Sequence, residues 1–318
     1  MPAGFSAGFF RIMRFKNNKF FGPFICVLAA LIWGLSFVAQ KSGAHIGTFT
    51  FNGIRTVLGA VVLMPFAITK LVKYKKTPTT GGESPDFDLK TNIIGGIVCG
   101  IVLCVASNLQ QHAFIYDIQA GKVGFITALY MILVPLLGLL FGRKIKPNII
   151  VAVILGVAGL YLLCMTKGDY KIGKGELFSL ACAFGFAVHI LSVDYFCNKT
   201  DSVILSCVQF TVAGIISVIC MFIFEQPVIA DIKSCAVQIL YAGVCSTGIA
   251  FTLQIIGQKY TEPAVASLLM CLESVFSVIF GWLILHDSFS ARAIIGCIVM
   301  FAGVVLTQIN FKSGVKNE

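Results

Sequence analysis

Long apolar runs separated by short polar segments occur along almost the whole chain. A helix needs roughly 20 apolar residues to cross the hydrocarbon core of a bilayer. We therefore predict an all-α integral membrane protein with ten transmembrane helices, at about 21–40, 47–69, 93–115, 120–141, 148–165, 175–197, 202–224, 234–257, 262–285 and 291–310. A polar, flexible connector is predicted between Lys70 and Lys90.

The composition supports a membrane protein with many spans. The chain of 318 residues is 58% hydrophobic and 12% charged, with a mean hydropathy of +0.92, whereas soluble domains carry about 25% charged residues. The formal net charge of +10 comes mainly from loop residues, which set topology and contact anionic lipid. No basic patch with interleaved aromatic residues stands apart from the apolar runs, so the predicted partner is membrane lipid and not nucleic acid.

The distribution of basic residues predicts the orientation. With a cytoplasmic N-terminus, 16 of the 24 lysines and arginines lie on the cytoplasmic side, 7 lie on the opposite side, and Arg55 lies inside a span. Because basic residues are enriched in cytoplasmic loops, both termini are predicted to be cytoplasmic. We expect a multi-pass protein of the plasma (inner) membrane, with cytoplasmic tails at residues 1–20 and 312–318.

The chain is also predicted to contain two copies of one unit. Residues 120–141 align with residues 263–284 after a shift of 143 positions, and the same shift places Tyr130 on Glu273 and Gln111 on Gln254. The predicted repeats are residues 21–166 and 175–311, joined by a linker at 167–174. Five spans per copy is an odd number, so the second copy enters the membrane inverted. Inverted repeats recur in secondary transporters, which bind substrate near the membrane midplane between the halves.

Glu273 is the single charge in the apolar run from Ala264 to Leu285. A carboxylate at mid-span costs a few kcal/mol against lipid and is a functional-site candidate by default. One hypothesis places it in a central cavity, where it exchanges a proton or stays beside a cationic group of a substrate. The alternative is a structural glutamate that is hydrogen-bonded to a neighbouring helix. His189 is a weaker candidate for proton coupling, because a lone histidine is more often a packing residue.

Other polar and aromatic residues within the spans are candidates for a cavity wall. Arg55, whose approximate counterpart in the second copy is Gln209, could anchor a substrate carboxylate or phosphate, or could pair with a loop acid or the lipid interface. Tyr130 matches Glu273 in the repeat and carries a polar tip. Trp33 and Phe37 share one helical face, which either lines the cavity or packs against lipid.

Amide side chains cluster at the ends of two spans. Asn108 and Gln111 lie on one face of the third span, and Gln254 lies in the eighth. Such groups either line a water-filled path or hold helices together. The cysteines are scattered without a CxxC pair and behave as small hydrophobic residues. We predict no metal site and no cofactor.

Three stretches resemble the EamA-type ten-helix carriers of the drug/metabolite transporter superfamily. They are LAALIWGLSFVAQK with FTFNGIRTVLGA (28–60), ITALYMILVPLLGLL with VILGVAGLYLL (126–163), and YTEPAVASLLMCLESVFSVIFGWLILHDSFS with FAGVVL (260–306). The resemblance implies a transporter of small organic molecules and leaves the substrate open. Members often have proline after the glutamate of the ninth helix, where this chain has Ser274.

Two function classes follow from the sequence. The first is a secondary carrier of a small organic metabolite or drug-like solute, working by alternating access. The alternative is an intramembrane enzyme acting on a lipid or another membrane-embedded substrate. The sequence lacks HExxH, any Cys/His metal spacing and the GxxxxGK[ST] phosphate loop, and it shows no filter motif of a channel. Direction, coupling ion and oligomeric state are left open.

Overall fold

The protein is an all-helical bundle in the computed structural model, which describes residues 19–76, 88–116, 118, 120–164, 172–285 and 290–308. No β-strand occurs among these residues. The α-helices are α1 (Phe21–Ser42), α2 (Thr48–Lys76), α3 (Leu89–Ala113), α4 (Ala120–Ala128), α5 (Tyr130–Leu140), α6 (Pro147–Cys164), α7 (Lys174–Cys197), α8 (Ser202–Phe224), α9 (Ile229–Ser234), α10 (Ala236–Leu240), α11 (Phe251–Gln258), α12 (Pro263–Met270), α13 (Glu273–Leu285) and α14 (Ala291–Gln308).

Eight helical segments of the described chain are long and apolar enough to cross a membrane, which confirms a multi-pass membrane protein. They are Phe21–Ser42, Thr48–Tyr74, Leu89–Tyr116, Lys122–Leu140, Lys174–Cys197, Ser202–Phe224, Ala236–Gln258 and Pro263–Phe280. At the predicted fifth and tenth spans lie the shorter apolar helices Pro147–Leu163 and Ala291–Thr307. Their crossing, and with it the count of ten, stays a prediction.

The described helix ends differ from the prediction around the long connector. Helix α2 continues to Lys76, past the predicted end at residue 69, because Leu71, Val72 and Tyr74 extend its apolar pattern. Helix α3 begins at Leu89, where Asp88 accepts hydrogen bonds from the amides of the first turn. The hydroxyl of Thr91 donates as well, and these bonds lower the pKa of the Asp88 carboxyl. Most of the polar connector (77–87), most of the tail at 1–20, most of the linker (167–174) and the tail at 312–318 lie outside the described residues.

Three predicted spans are not regular α-helices throughout. The α-helical hydrogen-bond pattern breaks at Leu129 in the fourth, between α4 and α5, and at Cys271 and Leu272 in the ninth, between α12 and α13. The backbone stays helical at both places, and i→i−3 hydrogen bonds replace the i→i−4 bonds there. The eighth contains a π-helix, Tyr241–Ala250, between α10 and α11. Such wide helical turns occur frequently at functional sites. The break in the ninth span occurs without a proline, because this chain has Ser274 at the position where the EamA-type carriers often have proline.

Helices from the two predicted repeats pack mainly against each other. Helix α2 packs against α8, α3 against α7 and α8, and α6 against α14, while α1 packs against α11, α12 and α13. Three ion pairs lie at the end of the bundle where α1 begins, and they join Lys70 to Asp201, Arg143 to Asp194 and Lys146 to Glu262. We call this end the first end. At the second end, where α1 stops, Lys122 pairs with Glu176 at 2.6 Å.

The pairing of α6 with α14 depends on two facing glycines. A Cβ atom added at Gly296 would lie 2.7 Å from the carbonyl oxygen of Gly159 and 2.8 Å from the amide nitrogen of Leu163. We expect Gly296→Ala to lower the free energy of unfolding by about 1–3 kcal/mol relative to a matched glycine, because the backbones must move apart. Thermal unfolding of the purified protein in detergent measures this change.

The matched control is Gly138→Ala in α5. A Cβ atom there would lie 3.4 Å from its nearest neighbour, the Cδ atom of Arg143, which is an ordinary contact. Both substitutions gain the same helix propensity, so only the close approach differs between them. Equal unfolding temperatures for the two variants would contradict the tight α6–α14 contact.

Candidate functional site

The two interrupted spans meet at their breaks in the interior of the bundle. Cys271 donates from its thiol to the carbonyl oxygen of Ala128 at 3.2 Å, and the Tyr130 hydroxyl donates to Oε1 of Glu273 at 3.3 Å. Each pair consists of residues that are 143 positions apart. The shift that aligns the two segments in sequence therefore also relates the residues that touch in the structure.

A chamber lies beside this contact and is lined by both halves of the chain. The space between its lining atoms, including the part at its mouth, is about 500 Å³. The charged residues of the lining are Arg55 and Glu273. The remaining wall is aromatic or apolar at Trp33, Phe37, Tyr130, Phe186, Ile190, Phe251 and Met270, and polar at Ser36, Gln40, Gln110, Thr127, Ser246 and Gln254.

The aromatic pair of the first span faces inward and not toward lipid. Trp33 is 9% exposed and Phe37 is 3% exposed. The indole nitrogen of Trp33 donates to the carbonyl oxygen of Ser246 at 3.3 Å, and its ring meets that of Phe251 at a centroid distance of 4.8 Å. Ser36, on the same helical face, donates to the Ser246 hydroxyl. The π-helix thus supplies the carbonyl oxygen that holds the tryptophan at the chamber wall.

Arg55 lies in the interior of the bundle and not at the lipid interface. Its side chain is 4% exposed, its Nε donates to Oδ1 of Asn52 at 2.7 Å, and its guanidinium lies 5.8 Å from the Phe51 ring centroid. Within the described part of the chain, no acidic oxygen lies within 4.0 Å of the guanidinium. The pairing with a loop acid that the sequence left open is therefore not seen among these residues.

Four other sequence candidates are buried but lie outside the chamber lining. Nδ2 of Asn108 donates to Ser217 at 2.9 Å, and Nε2 of Gln111 donates to the carbonyl oxygen of Gln40 at 3.0 Å. His189 and Gln209 contact each other at 3.2 Å. These bonds join neighbouring helices, which is the contact that the sequence left open for Asn108 and Gln111 beside a place in a water-filled path.

Gln254, in contrast, lies in the lining and also contacts a neighbouring amide. Its Nε2 donates to Oε1 of Gln258 at 2.9 Å, and Gln258 donates in turn to the carbonyl oxygen of Ile190 at 2.8 Å. The amide oxygen of Gln254 has no hydrogen-bond partner among the described residues.

Several lining residues were not among the sequence candidates. Ser36 and Gln40 lie three and seven positions after Trp33, so the helical spacing from the tryptophan could have found them. Phe186 and Ser246 carry no such signal, because they reach the chamber only through the packing of the second repeat on the first. No group of three metal-binding side chains occurs in the described ranges.

These features define the class of the protein. A multi-pass helical bundle with a polar chamber between its halves is the architecture of a membrane transport protein. Two segments, residues 20–165 and 173–309, match the profile of the EamA-like transporter family, and together they cover most of the chain. The chain belongs to this family, which agrees with the resemblance in the sequence.

Relatives in bacteria, archaea and plants match over most of this chain. The uncharacterized transporter YoaV of Bacillus subtilis is 24% identical over 90% of this chain and 96% of its own length. A chloroplastic WAT1-related protein of Arabidopsis thaliana is 24% identical over 89% of this chain and 67% of its own. A solved crystal structure superposes with a TM-score of 0.73 at 19% identity, covering 90% of this chain and 96% of the other, which shows the shared fold.

Proposed function

We propose that this protein is a secondary transporter that carries a small organic solute by alternating access around the chamber. The observation that carries the proposal is the hydrogen bond between Tyr130 and Glu273. The two residues occupy equivalent positions in the two repeats, and both line the chamber. Transporters built from repeats bind substrate near the membrane midplane, at the interface between the repeats. Glu273 and Arg55 place ionisable groups there, where charge is costly without a functional partner.

An inverted relation between the halves is part of this proposal. The family profile matches once in each half. Helix α1 starts at the first end and α6, the last of the first half, stops at the second end, whereas α7 starts at the second end beside the Lys122–Glu176 pair. The contacts between helices also repeat when the halves are exchanged. The first helix of the first half, α1, packs against α11 in the third span of the second half, and the first helix of the second half, α7, packs against α3, the third span of the first half. These features support a pseudo-two-fold axis in the membrane plane.

The ion pairs between the halves support two exchangeable conformations. Each described pair joins a basic residue before position 147 to an acidic residue after position 175. Three of them close the first end and one closes the second end. Exposed pairs such as Lys146 with Glu262 contribute about 0–1 kcal/mol each. Pairs as exposed as this one can break and re-form during each transport cycle.

Proton coupling through Glu273 is a further part of the proposal. Its carboxyl lines the chamber and receives a hydrogen bond from Tyr130, so a proton and a cationic group of the solute could occupy it in turn. His189, the weaker candidate, faces Gln209 outside the lining. We therefore place the coupling role on Glu273 alone.

The proposed location is the plasma (inner) membrane, with both termini in the cytoplasm. Single cysteines replacing Lys144, between α5 and α6, and Ile172, before α7, are expected to react from opposite sides of the membrane, because α6 lies between them. Labelling of intact cells with an impermeant maleimide, in a background without other cysteines, should modify Ile172→Cys and leave Lys144→Cys unmodified. Equal modification of both from outside would contradict the orientation.

Counterflow in proteoliposomes separates the proposed function from its alternative. Vesicles loaded with an unlabelled solute are diluted into its trace-labelled form, for a panel of amino acids, nucleosides, sugar phosphates and amines. Transient accumulation of label that saturates with concentration identifies a carrier. Product formation from lipid in detergent, without counterflow for any solute, would identify an intramembrane enzyme instead.

A further inference from the structure

A second pocket lies at the first end of the bundle, apart from the chamber. It is lined by residues of α5, of α6 and of the segment between them, and also by Leu191 of α7 and by Pro263 at the start of α12. The space between its lining atoms, including the part at its mouth, is about 740 Å³. Its lining shares no residue with that of the chamber. Because both halves of the chain line this pocket, an occupant would contact both of them.

The rim of this pocket is basic. Arg143, Lys144 and Lys146 follow α5, and Glu262 is the acidic residue of the lining. Arg143 pairs with Asp194, and Lys146 pairs with Glu262 at 2.6 Å. In the part of the chain that the structure describes, no acidic oxygen lies within 4.0 Å of the Lys144 amine. The rim therefore carries one positive charge more than the acids that pair with it.

The two paired basic side chains also keep donors for a further acceptor. A guanidinium carries five N–H donors and an ammonium three. Arg143 donates from Nη2 to Asp194, and Lys146 donates from Nζ to Glu262. A phosphate group beside Lys144 can accept remaining donors from both neighbours while the two ion pairs persist.

The inner wall of the pocket is apolar. Val134 is 1% exposed and Ile149 is 3% exposed, and Pro135 and Leu191 complete this part of the lining. Val134 lies six residues before the end of α5, a distance of about 9 Å along the helix axis. The pocket thus runs from a basic rim at the end of the bundle to an apolar wall within it.

The surface next to the pocket is apolar as well. Leu139, Leu140 and Phe141, which follow the lining residue Gly138, are 48%, 79% and 74% exposed. Exposed apolar patches mark contacts with membrane or protein. At the end of a spanning helix, the hydrocarbon of the bilayer is the surface that covers such residues.

We propose that this pocket binds an anionic phospholipid, with the lipid phosphate at Lys144 and an acyl chain against Val134 and Ile149. Basic pockets between membrane-spanning helices bind anionic headgroups. A soluble phosphate would use the rim alone, whereas a phospholipid uses both the rim and the apolar wall. The inference concerns a site separate from the chamber and does not depend on which solute is carried.

The test measures thermal unfolding of the purified full-length protein in one detergent with added lipid. Dioleoylphosphatidylglycerol and dioleoylphosphatidylcholine are compared at equal mole fractions, because they share acyl chains and differ in net charge. A ligand that binds the folded protein raises its unfolding temperature. We expect phosphatidylglycerol to reach half of its maximal stabilisation at a mole fraction about fivefold lower than phosphatidylcholine.

Glycerol phosphate, which has the phosphate without the acyl chains, distinguishes a lipid from a soluble anion. We expect no stabilisation when its concentration equals that of the phosphatidylglycerol. Equal stabilisation by the two compounds would overturn the lipid and identify a site for a soluble phosphate.

Lys144→Gln tests the basic rim, and Lys90→Gln is its matched control. Lys90 is an exposed lysine at the start of α3, outside the pocket lining. It lies at the same end of the bundle, because Asn92 beside it accepts a hydrogen bond from the amide of Asp201. We expect Lys144→Gln to bring the two lipids within about twofold of each other and Lys90→Gln to keep the fivefold preference.

Ala264→Phe tests the pocket itself. Ala264 lines the pocket, and a phenylalanine there fills part of the space without changing any charge. We expect the preference for phosphatidylglycerol to be lost in this variant. If the variant does not fold, the comparison of Lys144→Gln with Lys90→Gln decides alone.

Three further outcomes would overturn the inference. They are equal stabilisation of the unaltered protein by both lipids, equal preferences in Lys144→Gln and Lys90→Gln, and an unchanged preference in folded Ala264→Phe. None of them bears on the proposed transport, which counterflow tests separately.

Discussion

Glu273→Gln is expected to lower solute transport about tenfold to a hundredfold, while the protein still folds and reaches the membrane. Glutamine keeps the size of the side chain and can still accept the hydrogen bond from Tyr130, but it neither ionises nor exchanges a proton. The dependence of the initial transport rate on an imposed pH gradient should disappear as well. Both quantities are measured in proteoliposomes with a solute that shows counterflow.

Tyr130→Phe is the matched control for this substitution. It removes the hydroxyl that donates to Glu273 at 3.3 Å but leaves the carboxyl in place. We expect a loss of about two- to tenfold with the pH-gradient dependence retained. A wild-type rate and an unchanged pH profile in Glu273→Gln would make Glu273 a packing residue and would remove it from the transport mechanism.

Glu225→Ala is expected to lower the free energy of unfolding by about 1–3 kcal/mol. Glu225 follows α8, yet its carboxylate accepts hydrogen bonds from the amides of Phe49 and Thr50, at 2.9 and 2.7 Å, and from the Thr50 hydroxyl at 2.7 Å. These amides belong to the first turn of α2, where N–H groups have no partner within the helix. The substitution would remove a contact that joins two helices from different halves.

Glu262→Gln provides the comparison for this stability effect. Its ion pair with Lys146 joins two side chains that are 58% and 60% exposed, so it is expected to contribute about 0–1 kcal/mol. Thermal unfolding of both variants in the same detergent measures the difference. Equal unfolding temperatures for Glu225→Ala and Glu262→Gln would show that the contact at the start of α2 is no stronger than a surface ion pair.

The sequence predicted the membrane fold and the pairing of Tyr130 with Glu273 in the repeat, but not the breaks beside them. Apolar runs reveal where a helix can cross a bilayer, since this depends on composition alone. A break at Leu129 or at Cys271 frees backbone groups, so it depends on whether neighbouring helices offer these groups new hydrogen-bond partners. The thiol of Cys271, which donates to Ala128 on the facing span, is one such replacement. Nothing in the sequence of either segment indicates this hydrogen bond.

The inward position of Arg55 and the role of Glu225 needed the structure for a related reason. The sequence left Arg55 open between a cavity and an outer interface, because its distance along a span does not reveal which face of α2 is buried. Glu225 was not among the sequence candidates, and its partners lie about 175 positions earlier in the chain. Contacts of such separation are set by the packing of one half against the other.

The most direct test of the account measures distances at both ends of the bundle in one protein. Spin-label pairs replace Lys144 and Asn198 at the first end, and Ile115 and Ile172 at the second end. We predict that Asp194→Asn combined with Glu262→Gln, which weakens the ion pairs of the first end, lengthens the 144–198 distance and shortens the 115–172 distance. Both distances are measured by double electron–electron resonance in lipid nanodiscs. If both distances lengthened together, or if neither changed, the result would contradict alternating access around the chamber.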